Sequence, residues 1–373
     1  MKILFIGMTE NKGGTETFIM SAARLLWKLP QNEVYFLDVE SKEISHVKEI
    51  KQNKGKIIKY KIHKGPSGLL FNKHEAMLFF KQYSFDIVHV NTNILRNSFW
   101  AIAAKESGVK KVFLHSHNSS YGNRTAIKKM VYRLTDFFDR CKLKKSNVKL
   151  LAASKEAGAW MFHNLPFMVI NNGVDTSQYK FNNSERNIIR NKLSLPNDCL
   201  VVVSVARLTY QKNQEKIIRI FNKIEKEIPN SKLLLVGEGK DFEKLKKQAE
   251  DLKIDKKVCF LGRRNDINRL LSAADIMLFP SRYEGTPYSL MEAQSSGLPV
   301  LVSTEAFRKE EDITGNVSFL SLSATDQEWS LATLKLLDET KATDRRDANI
   351  KVKQSKYSME YFNDQLRTLY YMN

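Results

Sequence analysis

Short runs of aliphatic and β-branched residues return at intervals along this chain, at 3–6, 34–37, 57–60, 87–90, 112–114 and 149–152, with stretches of helical periodicity between them. The series restarts at 200–205, 233–236, 258–261, 276–279 and 300–302. Continuous apolar strands alternating with helices are what a parallel sheet needs, because each crossover lays a helix on a face of the sheet and buries it. Two series predict an α/β chain of two doubly wound, Rossmann-like domains. The pattern breaks at 171–181, where Asn172-Gly173 and a polar Ser-Gln-Tyr segment interrupt it, which sets domains at 1–175 and 176–356. Residues 358–371 read as a last helix with Met359, Phe362, Leu366 and Leu369 on one side.

At 373 residues the chain is too long for one ordinary core and suits two. Its apolar runs fall far short of the roughly 20 residues of a membrane span. The start MKILFIG lacks the apolar region and cleavage site of a secretory leader, so a cytoplasmic location is expected. Cys141, Cys199 and Cys259 are scattered and odd in number, which implies neither a disulfide framework nor a zinc site and assigns them to packing.

The net charge of +19 is unevenly spread: residues 1–175 carry +14 and the remainder +5. A basic half can face nucleic acid, an anionic leaflet or acidic substrates. Within 124–145, Lys128, Lys129, Arg133, Arg140, Lys142, Lys144 and Lys145 alternate with Ile127, Met130, Val131, Leu134, Phe137 and Phe138 at helical spacing. This is a basic amphipathic helix whose apolar stripe is expected to face the core, leaving the lysines free for lipid headgroups at the inner face of the cell membrane. Leu69, Leu70 and Phe71, introduced by Gly65, Pro66 and Gly68, form a second membrane-facing candidate or a partly buried loop. Nucleic acid is not expected, since basic residues interleaved with stacking aromatics along one face are missing from a two-sheet plan.

Open α/β sheets bind ligands beyond the carboxyl ends of their strands, and the chemistry-bearing residues of this chain follow strands. Glu284 and Glu292 stand eight positions apart in FPSRYEGTPYSLMEAQSSGLPVLV, on a Gly285-Thr286-Pro287 turn that opens a helix. The N–H groups of Thr286, Tyr288, Ser289 and Leu290 point at whatever docks on that helix start, where an anion is favoured. A diphosphate between a sugar and a ribose fits, with sugar hydroxyls on Glu284 and ribose hydroxyls on Glu292. The spacing alone is equally that of a capped surface helix.

Arg207 and Lys212 lie in ARLTYQKN after the strand 200–205, and two cations there could hold a diphosphate, arginine by its fork and lysine as a point charge. Gly13 and Gly14 follow the first strand, where glycine lets backbone approach a phosphate; the stretch is neither a P-loop nor GxGxxG and is equally a simple turn. His115 and His117 stand at a strand exit. Gly237, Glu238 and Gly239, with residues 262–264, follow two more strands and would wall a nucleoside.

The string EGTPYSLME, flanked by AADIMLFPSRYEGTP and AQSSGLPV, resembles the Glu-x7-Glu block of the retaining GT-B glycosyltransferases of family 4. The Gly13-Gly14 loop, LHSHN, VINNGVD, VARLTYQKN and LLLVGEG follow the same family's order, so the resemblance covers nearly the whole chain. It is greatest with the bacterial members that build capsular and exopolysaccharide repeat units. The resemblance implies a GT-B fold, two Rossmann-like domains facing across a cleft. The first would bind acceptor, the second nucleotide-sugar donor, and a C-terminal helix, 357–373, would cross back to the first domain.

It implies His117 and Glu284 as catalytic residues, and Gly14, Arg207, Lys212, Ser289 and Leu290 on the donor diphosphate. Glu284, Gly285, Thr286, Pro287 and Glu292 would hold sugar and ribose, with Gly237, Gly262 and Arg263 at the nucleoside. Asn118 stands where the family often has Asp, which removes the expected carboxylate orienter of His117. The function implied is metal-independent, retaining transfer of a sugar from a UDP donor to a glycan hydroxyl on a polyprenyl-diphosphate carrier, without a cofactor. The phosphate cations substitute for a metal, and the chain contains no Asp-x-Asp triplet. A nucleotide-sugar 2-epimerase of the same fold and an inactive partner subunit are the alternatives.

Overall fold

The computed structural model describes the chain except residues 40–42, 62–67, 123, 286–287, 341–343 and 373, and except the side chains of 68–71. It divides into two compact units, Met1–Gly173 with Tyr361–Asn373, and Val174–Glu360.

The first unit holds seven parallel strands, β1 (Lys2–Ile6), β2 (Glu33–Asp38), β3 (Lys56–Lys59), β4 (Ile87–Thr92), β5 (Lys111–Ser116), β6 (Lys149–Ala152) and β7 (Met168–Val169). Their order is β3-β2-β1-β4-β5-β6-β7. The central strand β4 is buried at every position, as a strand with helices on both faces must be. Leu4, Ile6, Val88, Val90 and Leu114 point from the sheet into a core closed by Trp100, Phe79 and Phe162.

The second unit repeats the plan with β8 (Leu200–Val205), β9 (Ser231–Val236), β10 (Val258–Gly262), β11 (Ile276–Phe279), β12 (Val300–Ser303) and β13 (Val317–Leu320), in the order β10-β9-β8-β11-β12-β13. Side chains alternate along β8: Val201, Val203 and Val205 enter one core, Leu200 and Val202 the other. One of these cores is filled by the helix Gln214–Glu227, which buries Ile217, Ile218, Ile220, Phe221 and Ile224.

The eleven strand runs read from the sequence all form strands, and two more appear. β7 has only two residues, and β13 is half-exposed beyond its first residue, so neither carries a continuous apolar run. In each sheet the strand order reverses beside the first strand, at β1/β4 and at β8/β11, and there the strand exits form a crevice. The opposite end of the second sheet is structural. There Asp275 accepts from Val201 N at 2.7 Å and from Arg186 Nη2 at 2.6 Å, and the buried Arg190 approaches it at 3.4 Å.

The C-terminal segment, Met359–Arg367 continued by a π-helical turn Thr368–Met372, buries Phe362, Leu366, Leu369 and Tyr370. From Tyr361 on it belongs to the first unit. Asn171 N donates to Gln365 Oε1 at 3.2 Å, Asn32 Nδ2 to Tyr371 Oη at 2.7 Å, and Lys111 Nζ to the Tyr370 carbonyl at 3.0 Å.

One sequence expectation is reversed. The basic helix forms as Ala126–Lys145, capped by Thr125, but its apolar stripe faces away from the core, with Ile127 73%, Met130 58%, Val131 51%, Leu134 59%, Phe137 60% and Phe138 62% exposed. The arc that packs on the unit is polar, with Asp136 and Asp139 buried beside Leu143. Cys141 is exposed on the same helix, so only Cys199 and the half-buried Cys259 pack as expected. Leu69, Leu70 and Phe71 fall in the helix Gly68–Gln82, but their side chains lie outside the described residues.

Candidate active site

At the β8/β11 reversal, the loop after β8 carries Lys212 and the loop after β11 carries Glu284, 72 positions later. Neighbouring strands bring the two exits together, and Lys212 Nζ meets Glu284 Oε1 at 2.7 Å. Both side chains are nearly buried, and Lys212 Nζ also sits 5.0 Å over the Phe279 ring. A charge pair withdrawn from water in this way is held by geometry. Gln211 supplies part of it, donating to the Tyr283 carbonyl at 3.0 Å and to Glu284 Oε2 at 3.5 Å. Asn213 adopts φ 56° and donates to the Pro280 carbonyl at 3.1 Å, and Arg282 closes the loop pair by donating to Asn213 Oδ1 at 3.0 Å. The residues assigned to diphosphate and to sugar are therefore in direct contact with each other.

Arg207 stands exposed at the start of the same loop, its carbonyl held by Gln214 Nε2 at 2.9 Å. Behind it runs the loop after β9. Gly237 has φ +135°, and a Cβ there would lie 2.1 Å from the Ala206 carbonyl oxygen, so only glycine permits this approach. Gly237 N donates to the Gly262 carbonyl at 2.8 Å, and Arg263 reaches Glu238 at 3.6 Å on the exposed rim. The three positions assigned to a nucleoside wall thus lie side by side.

The helix Tyr288–Ser295 follows Gly285. Ser289 is half-buried on it, while the Leu290 side chain is fully buried in the core, so only its backbone can face a ligand. Thr286 and Pro287 lie outside the described residues. One turn on, Glu292 accepts from Tyr179 Oη at 2.9 Å. Burial raises the Glu292 carboxyl to about 7, the Tyr179 bond opposing it, and burial beside Glu292 raises the Tyr179 phenol as well. Tyr179 carries no motif and was not foreseen; it reaches Glu292 only through the fold.

The first unit has its own set at the β1/β4 reversal. Gly14 begins the helix Gly14–Trp27, and Glu16 folds back so that its Oε2 accepts from Gly13 N at 3.0 Å while its Oε1 accepts from Thr9 Oγ1 at 2.5 Å. This carboxylate sits on the positive end of the helix. Gly7, with φ +119°, lets β1 leave the sheet against β4: a Cβ would lie 2.2 Å from the Asn91 carbonyl oxygen.

Asn91 resolves the missing orienter of His117. Its Nδ2 donates to the Ile6 and His89 carbonyls at 3.4 and 3.3 Å, which turns Oδ1 toward His117 Nε2 at 2.9 Å. An amide oxygen only accepts, so His117 Nε2 carries the proton and Nδ1 keeps a lone pair. Asn118 turns instead into its own loop, donating to the Ser120 carbonyl at 2.6 Å. Burial lowers His117 to about 3. His115 packs tilted against it at 4.1 Å between ring centroids and reaches His89 Nε2 at 3.2 Å, and His89 Nδ1 meets Tyr370 Oη at 2.6 Å. The signal for Asn91 was its place at the exit of a strand; nothing local pointed to Tyr370.

Residues 185–353 match the family "Glycosyl transferases group 1". The chain is a glycosyltransferase of the GT-B fold that carries a group 1 domain over those residues. The Bacillus subtilis protein "Putative glycosyltransferase EpsF" is 27% identical over 341 residues, covering 88% of this chain and 86% of its own. The UDP-Gal:alpha-D-GlcNAc-diphosphoundecaprenol alpha-1,3-galactosyltransferase of Escherichia coli is 31% identical over 235 residues, 60% of this chain and 59% of its own. Among solved structures, Anabaena HepE in complex with UDP-glucose superposes with a TM-score of 0.81 at 21% identity, covering 98% of both chains, a likeness that carries the fold of this glycosyltransferase.

Proposed function

We propose that this glycosyltransferase moves a sugar from a UDP donor to a hydroxyl of a lipid-linked glycan, with retention of anomeric configuration and without a metal. The observation that carries the donor half is the Lys212–Glu284 pair at the β8/β11 reversal, with Arg207 at the start of the loop that carries Lys212. It puts one lysine, one arginine and a carboxylate where a diphosphate and a sugar would adjoin. Arg207 and Lys212 stabilise the charge that develops on the departing UDP, the task a metal would otherwise perform. Glu284 accepts from sugar hydroxyls, and Glu292 from ribose hydroxyls in place of Tyr179. The name of one relative supports the acceptor class: it is a galactosyltransferase acting on a diphosphoundecaprenol-linked sugar.

Retention follows from substitution on one face. The acceptor oxygen bonds to the anomeric carbon on the side from which the phosphate oxygen leaves, and the acceptor proton passes to that phosphate oxygen. His117 is a poor base for this step, since a group titrating near 3 holds a proton weakly at neutral pH. We assign its Nδ1 lone pair to a hydrogen bond from a sugar hydroxyl. The test is calorimetric titration of UDP, GDP, ADP and UDP-hexoses in EDTA, followed by NMR of the product's anomeric proton. UDP-selective binding with an unchanged anomeric configuration is expected, and Lys212→Ala should abolish both binding and transfer. Inverted product, or C2 epimerisation of donor without acceptor, would overturn the assignment.

A further inference from the structure

The helix Ala126–Lys145 is amphipathic in the wrong sense for a core element. On a wheel of 100° per residue, Ile127, Met130, Val131, Leu134, Phe137, Phe138 and Cys141 fill one continuous arc of about 120°. Every one of them is exposed. The opposite arc holds the helix to the unit through Leu143 in the core and two polar contacts, Asp136 accepting from Tyr121 Oη at 2.5 Å and Arg140 Nε donating to the Met161 carbonyl at 3.0 Å. Six large apolar side chains in one exposed stripe are not a normal protein–water boundary. The exposed Lys128 and Lys142 border the stripe on one side, Arg133 and Lys144 on the other.

We propose that this face docks in the interface of an anionic lipid bilayer, the helix lying parallel to the surface with its apolar arc among the acyl chains and its flanking lysines on phosphate headgroups. Charge selects this occupant. A second copy of the chain on a two-fold axis would set both basic borders against themselves, like against like. An anionic leaflet meets apolar centre and basic rim together. Spanning is excluded for this helix by its buried Asp136 and Asp139, and no helix among the described residues is long and apolar enough to cross a membrane. The inference stands on this surface alone and does not depend on the donor assignment.

Flotation with phosphatidylcholine vesicles, with and without about one-third phosphatidylglycerol, tests it. The full chain should float with the anionic vesicles and be released by salt. Leu134→Asp with Phe138→Asp should lower vesicle partitioning at least tenfold while the melting temperature stays unchanged, and Lys128→Glu with Lys144→Glu should cost about fivefold per lysine. An environment-sensitive dye on Cys141 should shift to the blue on anionic vesicles only. Absence of flotation, or flotation untouched by the double aspartate variant, overturns the proposal. So does concentration-dependent dimerisation without lipid that the same variant abolishes.

Discussion

The helices Gln214–Glu227 and Ala126–Lys145 look alike as sequences, each a stripe of large apolar residues set among lysines, yet they sit on their units in opposite senses. The first turns Ile217, Ile218, Ile220, Phe221 and Ile224 into the core and, apart from the buried Lys216 paired with Asp326, leaves its charges outside. The second buries carboxylates and shows its phenylalanines. Periodicity fixes that a helix has two faces; it does not fix which face the rest of the protein covers. That depends on what the neighbouring surface offers. Under Gln214–Glu227 lies the apolar face of β8 and β9, with Leu233 and Leu235. Under Ala126–Lys145 lie the Tyr121 hydroxyl, which donates to Asp136, and the Met161 carbonyl, which accepts from Arg140.

Substitutions can break this comparison. Phe221→Ala should cost about 3–5 kcal/mol in denaturant unfolding, because it opens a cavity in a filled core, whereas Phe138→Ala should stay within about 0.5 kcal/mol. Equal losses at both sites would mean that the phenylalanine face of Ala126–Lys145 is covered. On the buried arc of that helix the order inverts: Asp136→Ala should cost about 1–3 kcal/mol by stranding Arg140 and Tyr121, more than any single truncation on its apolar arc.

Acid should separate the two units. Burial holds His89 and His117 near 3 in the folded chain against an ordinary 6.5, and His115 well below 6.5. The unfolded chain therefore takes up protons that the fold refuses. Stability is complete above about 6.5 and falls as the pH descends toward 3, by roughly 1.4 kcal/mol per pH unit for a fully buried histidine such as His89. Glu292 acts oppositely. Its raised carboxyl keeps a proton between about 4.5 and 7 that the unfolded chain releases, so the second unit gains as the pH drops through that window. Hydrogen exchange resolved by peptide should show protection lost first in β4 and β5 at pH 5, with β8 and β11 still protected. Uniform loss in both sheets would contradict the assignment. Tyr370→Phe, which removes one hydrogen bond to His89, should cost about 1 kcal/mol.

The strand runs were legible because a strand buried on both faces can be built only from consecutive apolar residues, as in β4 and β8. β7 and β13 were not, since an edge strand needs no such run. The loop residues Arg207, Lys212, Glu284 and Glu292 were legible by type and by their place after strands. That Lys212 rests on Glu284 was not, because the contact exists only once β8 and β11 lie side by side. Asn91 and Tyr179 were missed for the same reason: each acts through a partner distant in sequence.

Chain order and local pattern alone determined two parallel sheets, their strand-exit loops and the residue types those loops carry, since backbone hydrogen bonding and burial act on neighbours along the chain. Tertiary structure alone decided which carboxylate meets which cation, which amide orients His117, and which face of the lysine-rich helix is left to solvent. Those outcomes depend on surfaces that come from distant segments, and a periodicity of 3.6 is blind to what stands opposite.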